Sequence, residues 1–282
     1  MSSFKTDQAR HQSPSRASIF LLASIALVSI WLAQEPKLDL VLAPTGLLDK
    51  VLYVCHVAIQ YAFYLVMVPI EFLDTVLHEM GHALFCVATG GTVHGLTIVG
   101  DGAGHAGLTF TSGGIPFIYN QTGYLGTTLF GCLMLWLGRG RAACRAVLIA
   151  LGLLIAVVSL LFMTRTLNQA AYANQAVGSI FTGLALAAAL ILAGAKLSDR
   201  LAQYLLLFLG VQISLGAVND VIWLAKLSLG MVGSYGFTDA TNQAQLTHLP
   251  AAFWSVLWAV LSLLMLFFTL KLAYGSSRAE EH

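Results

Sequence analysis

Two histidines four residues apart, with a glutamate beside the first, make His78-Glu79-Met80-Gly81-His82 the segment of this chain best suited to chemistry. On a helix, residues at i and i+4 share a face, so both imidazoles can reach one metal ion. Glu79 is then placed to take a proton from a water that zinc acidifies to a pKa of about 7, while the same ion polarises a carbonyl. Such a site needs three protein ligands and one open position, so a third ligand must come from elsewhere.

The surrounding sequence is apolar, and ionisable residues inside apolar segments are costly enough to be functional candidates by default. The best candidate for the third ligand is Asp220, which follows Asn219 inside the apolar run from Leu205 to Leu224, with no basic residue in that run to neutralise it. Rivals are Asp74, one turn before His78, and His94, Asp101 and His105 further on. Asp74 could instead orient a ligand imidazole. The later three read more simply as residues that solvate a turn. Gly123, Gly126 and Gly131 suggest close helix packing. Trp254 and Trp258, near the start of an apolar run, read as membrane-interface anchors. The four cysteines form no C-x-x-C pair and read as small apolar side chains rather than a disulfide framework.

These residues must be positioned by membrane helices. The chain has 282 residues, 58% hydrophobic and 10% charged, with a mean hydropathy of +0.81. Soluble domains carry roughly 25% charged residues, so most of this chain cannot face water. Its net charge of +1 argues against nucleic acid as a partner, which would call for a basic patch. The lipid bilayer is the expected surrounding.

A crossing helix needs about 20 mostly apolar residues. Candidate runs are Ile19–Ala33, Val51–Val68, Ile70–Thr89, Phe117–Leu137, Ala146–Met163, Ala176–Ala195, Tyr204–Leu224 and Pro250–Leu270. The expected architecture is therefore an all-α polytopic bundle of seven or eight spans, the count depending on whether Pro69 breaks the second run from the third. The first run follows Lys5, Arg10 and Arg16 but lacks a small-x-small cleavage site after it, so it reads as a retained span. Arg139, Arg141, Arg145, Lys196 and Arg200 mark loops expected on the cytoplasmic side. Residues 1–18 and 271–282 read as polar tails flanking one membrane domain, 19–270. Within it, residues 92–112 alternate β-branched and small residues around Asp101-Gly102, the pattern of a β-hairpin. In a membrane such a hairpin must be buried in protein, line a wet cavity or lie at the surface.

Taken in order, the segments V-L-H-E-M-G-H-A-L (76–84), T-G-G-T-V (89–93), G-L-T-F-T-S-G-G (107–114), T-G-Y-L-G (122–126), N-D-V (219–221) and L-P-A-A-F-W-S-V-L-W (249–258) resemble the site-2 protease family of intramembrane zinc metalloproteases. The likeness is closest to its B-like bacterial and plant branch. The resemblance implies Zn2+ held by His78, His82 and Asp220, with Glu79 as general base. It also implies a membrane-protein or peptide substrate cut in or near a transmembrane segment, and a bacterial inner-membrane location. The larger family has a Pro and a Gly around its aspartate that Ala217-Val218-Asn219-Asp220-Val221 lacks. The competing expectation is a non-proteolytic membrane protein that binds or transports a metal at the same His/Asp site.

Overall fold

The computed structural model describes residues 46–99, 106–233 and 237–274, together with Ser24. The expected first span and N-terminal tail lie outside these residues apart from Ser24, as do Asp101 and His105 of the hairpin turn and all of the C-terminal tail but its first four residues.

Helix α1, Leu47–Ala88, runs for 42 residues with Pro69 inside it, about 63 Å at 1.5 Å per residue. Two of the expected spans are thus one helix. Proline removes a single backbone bond, and the apolar sequence on both sides carries the helix through. Its first half leaves Leu48, Val51, Leu52, Val54, Ile59 and Leu65 exposed. From Leu73 onward Val76, Leu77, Met80, Ala83 and Cys86 are buried in the main core, a spacing of three and four that marks one packed face.

After the Gly90 turn, in left-handed conformation at φ 85, strand β1 (Thr92–Thr97) pairs antiparallel with β2 (Leu108–Ser112), and the register shifts between Val93 and Gly95. The outer edge of β1 is closed by side chains. Leu96 N–H donates to Thr166 Oγ1 at 2.8 Å, whose hydroxyl donates back to the Leu96 carbonyl at 3.0 Å. Ile98 N–H donates to Ser179 Oγ at 2.9 Å, and Arg165 Nη1 donates to the Val93 carbonyl at 2.7 Å. This answers the backbone groups that a hairpin in a membrane protein cannot leave unmet. A Cβ on Gly95 would lie 2.5 Å from Thr166 Oγ1, so that approach requires glycine.

Helix α2 (Pro116–Tyr119) and α3 (Tyr124–Gly138) follow, then α4 (Arg141–Val158). A π turn at Ser159–Met163 and a 3-10 turn at Thr164–Asn168 extend α4 and carry Arg165 and Thr166 to the hairpin. Helices α5 (Ala173–Lys196), α6 (Asp199–Ser228), α7 (Asp239–Thr247) and α8 (Ala251–Tyr274) complete the described chain. Glycines set the helix contacts, as at Gly131 against Ser214 and Gly152 against the Ala187 carbonyl.

Among the described residues, four helices are long and apolar enough to cross a membrane: Arg141–Asn168, Ala170–Lys196, Asp199–Ser228 and Ala251–Tyr274. They match four of the expected runs; the first run lies outside the described residues, so the full count of seven or eight is not reached among those described. The run Phe117–Leu137 divides into α2 and a 15-residue α3, shorter than a crossing needs. Trp254 and Trp258 are buried rather than set out as interface anchors: their indole N–H groups donate to Thr247 Oγ1 at 2.9 Å and Gln121 Oε1 at 3.3 Å. Cys86, Cys132 and Cys144 are buried and Cys55 is exposed, all free.

Candidate metal centre

The second half of α1 turns His78, Glu79 and His82 towards a cavity of about 930 Å3, bordered by β2, α6 and α7. His82 is oriented from behind: its Nδ1 donates to the Tyr119 carbonyl at 2.6 Å, which leaves the Nε2 lone pair facing the cavity. His78 Nε2 lies 3.2 Å from His82 Nε2, and Tyr124 packs edge-on against the His78 ring, with centroids 4.6 Å apart.

The third group is Asp239, in the first turn of α7. Its Oδ2 lies 3.1 Å from His78 Nε2 and 3.2 Å from His82 Nε2. Thr238 holds this helix start through a reciprocal capping box with Thr241. Burial works to raise the Asp239 pKa, but the two imidazoles outweigh it and hold the carboxyl below the usual carboxylate range, so it is ionised at neutral pH. Two imidazole nitrogens and one carboxylate oxygen thus form a nearly equilateral triangle. Ligands about 2.0 Å from a tetrahedral zinc ion lie about 3.3 Å from one another. The donor set and its spacing fit a zinc ion.

Asp220 is near this group but not part of it. It lines the same cavity from α6, but its side chain is hydrogen-bonded to that of Asp74, and it is not among the three convergent ligand atoms. Asp74, its neighbour there, lies one turn before His78, and the His78 imidazole also acts on the Asp220 carboxyl. His94 is also turned away, its Nε2 2.6 Å from Ser112 Oγ across the hairpin. Asp239 was not among the residues singled out from sequence. It falls in the stretch read as a loop between spans, where Thr-Asp-x-Thr reads as an ordinary helix start.

Glu79 Oε2 accepts from Thr109 Oγ1 at 2.5 Å. Gly123 packs directly over the imidazoles: a Cβ there would lie 2.5 Å from both Nε2 atoms. Its backbone, at φ −58 and ψ −74, is one any residue adopts, so Gly123→Ala should fold and act only through the site. We expect it to lower zinc affinity at least tenfold while the circular dichroism spectrum stays unchanged. Wild-type zinc retention would show that the imidazoles can yield to a methyl group.

Compared with known protein families, residues 50–269 match the peptidase M50B-like family. The chain belongs to that family. Neither a curated protein nor a solved structure shows a significant match to it. The M50B-like match spans most of the described chain, from α1 to α8, and so includes the cavity and every residue around it. Family membership and four apolar helices together make the chain an integral membrane protein of a metalloprotease family. In this M50B-like chain, His78, His82 and Asp239 form a group that could hold a metal ion.

Proposed function

We propose that this chain is a zinc-dependent intramembrane protease that hydrolyses peptide bonds in or near a transmembrane segment of another membrane protein, in a bacterial inner membrane. The observation that carries this reading is the convergence of His78 Nε2, His82 Nε2 and Asp239 Oδ2 beside the buried carboxylate of Glu79. Zinc bound by the three would acidify a water and polarise the scissile carbonyl. Glu79, buried beside the ligand group, would accept the proton released by the attacking water. Tyr119 keeps His82 in the tautomer that presents Nε2 to the ion.

A helical substrate hides its carbonyls in hydrogen bonds and must unwind to be cut. Strand β2 suits an unwound segment, because the two-stranded sheet ends on it and Leu108, Thr109 and Thr111 line the cavity. An extended peptide added to that edge would be held by backbone pairing, alongside Glu79 and the imidazoles. A protein that merely binds or moves metal has no use for a carboxylate held beside the ligand set but outside it.

The reading is tested with purified protein in detergent micelles and a quenched fluorescent peptide containing one apolar span. Cleavage should vanish on chelation and return with stoichiometric zinc. Zinc at 100 times its Kd should also add about 2.7 kcal/mol to stability, seen as a rise in Tm. Cleavage that persists in protein shown to be metal-free would overturn the proposal.

A further inference from the structure

The segment G-L-T-F-T-S-G-G is not explained by metal binding, and its first residues grip Glu79. Thr109 Oγ1 lies 2.5 Å from Glu79 Oε2 and 3.2 Å from the Glu79 backbone carbonyl. With one proton to give, the hydroxyl favours the shorter bond to the charged oxygen. On the other side Gly107 presses close: a Cβ there would lie 2.8 Å from both Glu79 Oε1 and Glu79 Cγ. The carboxylate is thus confined between two residues of the hairpin arm, not by its own helix.

That arm is itself anchored. Thr109 pairs with Leu96 across the sheet, and Leu96 is fully buried and bonded in both directions to Thr166 Oγ1. A chain of contacts therefore runs from the end of α4 through β1 and β2 to Glu79.

We infer that Thr109 is a positioning residue, holding the Glu79 carboxylate in its proton-accepting orientation so that strand β2 both borders the substrate and aligns the base. The inference rests on the proteolytic reading of the site. A misplacement of about 1 Å in a reacting group can cost on the order of 100-fold in rate, so a hydroxyl that fixes one carboxylate oxygen can control turnover without touching substrate. If the hydroxyl only satisfied local backbone groups, its loss would lower stability and leave the rate constant alone.

The test compares Thr109→Val, which keeps the side-chain volume, with Thr109→Ser, which keeps the hydroxyl. With the quenched single-span peptide, Thr109→Val should lower kcat about 10–100-fold, with KM and zinc stoichiometry unchanged, and Thr109→Ser should restore most of the rate. A wild-type kcat in Thr109→Val, or a rise in KM equal in both variants, overturns the inference. A second measurement needs no turnover. The carboxylate stretch of Glu79, taken as the infrared difference between wild type and Glu79→Gln, should shift in Thr109→Val and stay put in Thr109→Ser. A band unmoved by Thr109→Val overturns the positioning role by itself, whereas a wild type that shows no zinc-dependent cleavage of the peptide overturns the proteolytic reading instead.

Discussion

Glu79→Gln should keep its zinc and lose cleavage by about 100- to 10,000-fold, the range that a positioned proton-transfer group contributes. Glu79 lies outside the three-atom ligand group, so removing its charge takes no bond from the ion. The amide has nearly the same shape and can still accept from Thr109, so the contact at 2.5 Å and the packing against Gly107 are preserved. What disappears is the ability to take a proton. Zinc stoichiometry by elemental analysis and cleavage of the quenched peptide, measured on one preparation, separate these effects. A variant that lost zinc would make Glu79 part of the ligand set. A variant that cleaved normally would remove Glu79 as the proton acceptor, whereas a wild type that bound zinc without cleaving would leave the protein a metal-binding or transport function.

The second large effect concerns the identity of the third ligand. Asp239→Asn should weaken zinc binding by more than the roughly 10–100-fold that follows loss of a residue merely supporting a ligand. It replaces the only anionic atom of the Nε2–Nε2–Oδ2 triangle with a neutral amide. Asp220→Asn should change zinc affinity by no more than a few-fold. Asp220 lies beside Asp74 and outside the triangle, so an amide at 220 takes no bond from the ion. Zinc affinity measured by competition with a chelating dye reads both variants. The reverse ranking would return the ligand role to Asp220 and leave Asp239 as a carboxylate paired with the imidazoles.

How far these features could be read beforehand follows from how local each one is. His78, Glu79 and His82 lie within five residues, and the helical repeat alone puts both rings on one face. The hairpin was legible because alternation and a turn are local too. Asp239 was not, because it is 157 residues from His82 in sequence and its own neighbourhood reads as a helix start. Nothing in residue type distinguishes an aspartate that stabilises a helix dipole from one that also meets two imidazoles. Four expected spans match the four crossing helices, but the runs between 51 and 137 did not, for another reason: hydropathy counts apolar residues without seeing backbone continuity. It could not tell that α1 runs through Pro69, or that the chain turns between Tyr119 and Tyr124 to bring Gly123 over the imidazoles. Asp220 drew notice because its apolar run holds no basic residue, and the structure places it beside a second acid on another helix.

The ligand triangle joins unlike parts of the molecule. His78 and His82 belong to a helix of the packed interior, while Asp239 opens a nine-residue helix that stands outside the four long apolar ones. An ion shared among them would therefore act as a rivet between α1 and α7, added to the packing of Ala240 against Val221, Leu224 and Trp258. Loading a cation there and seating α7 over the cavity would then be coupled, each favouring the other.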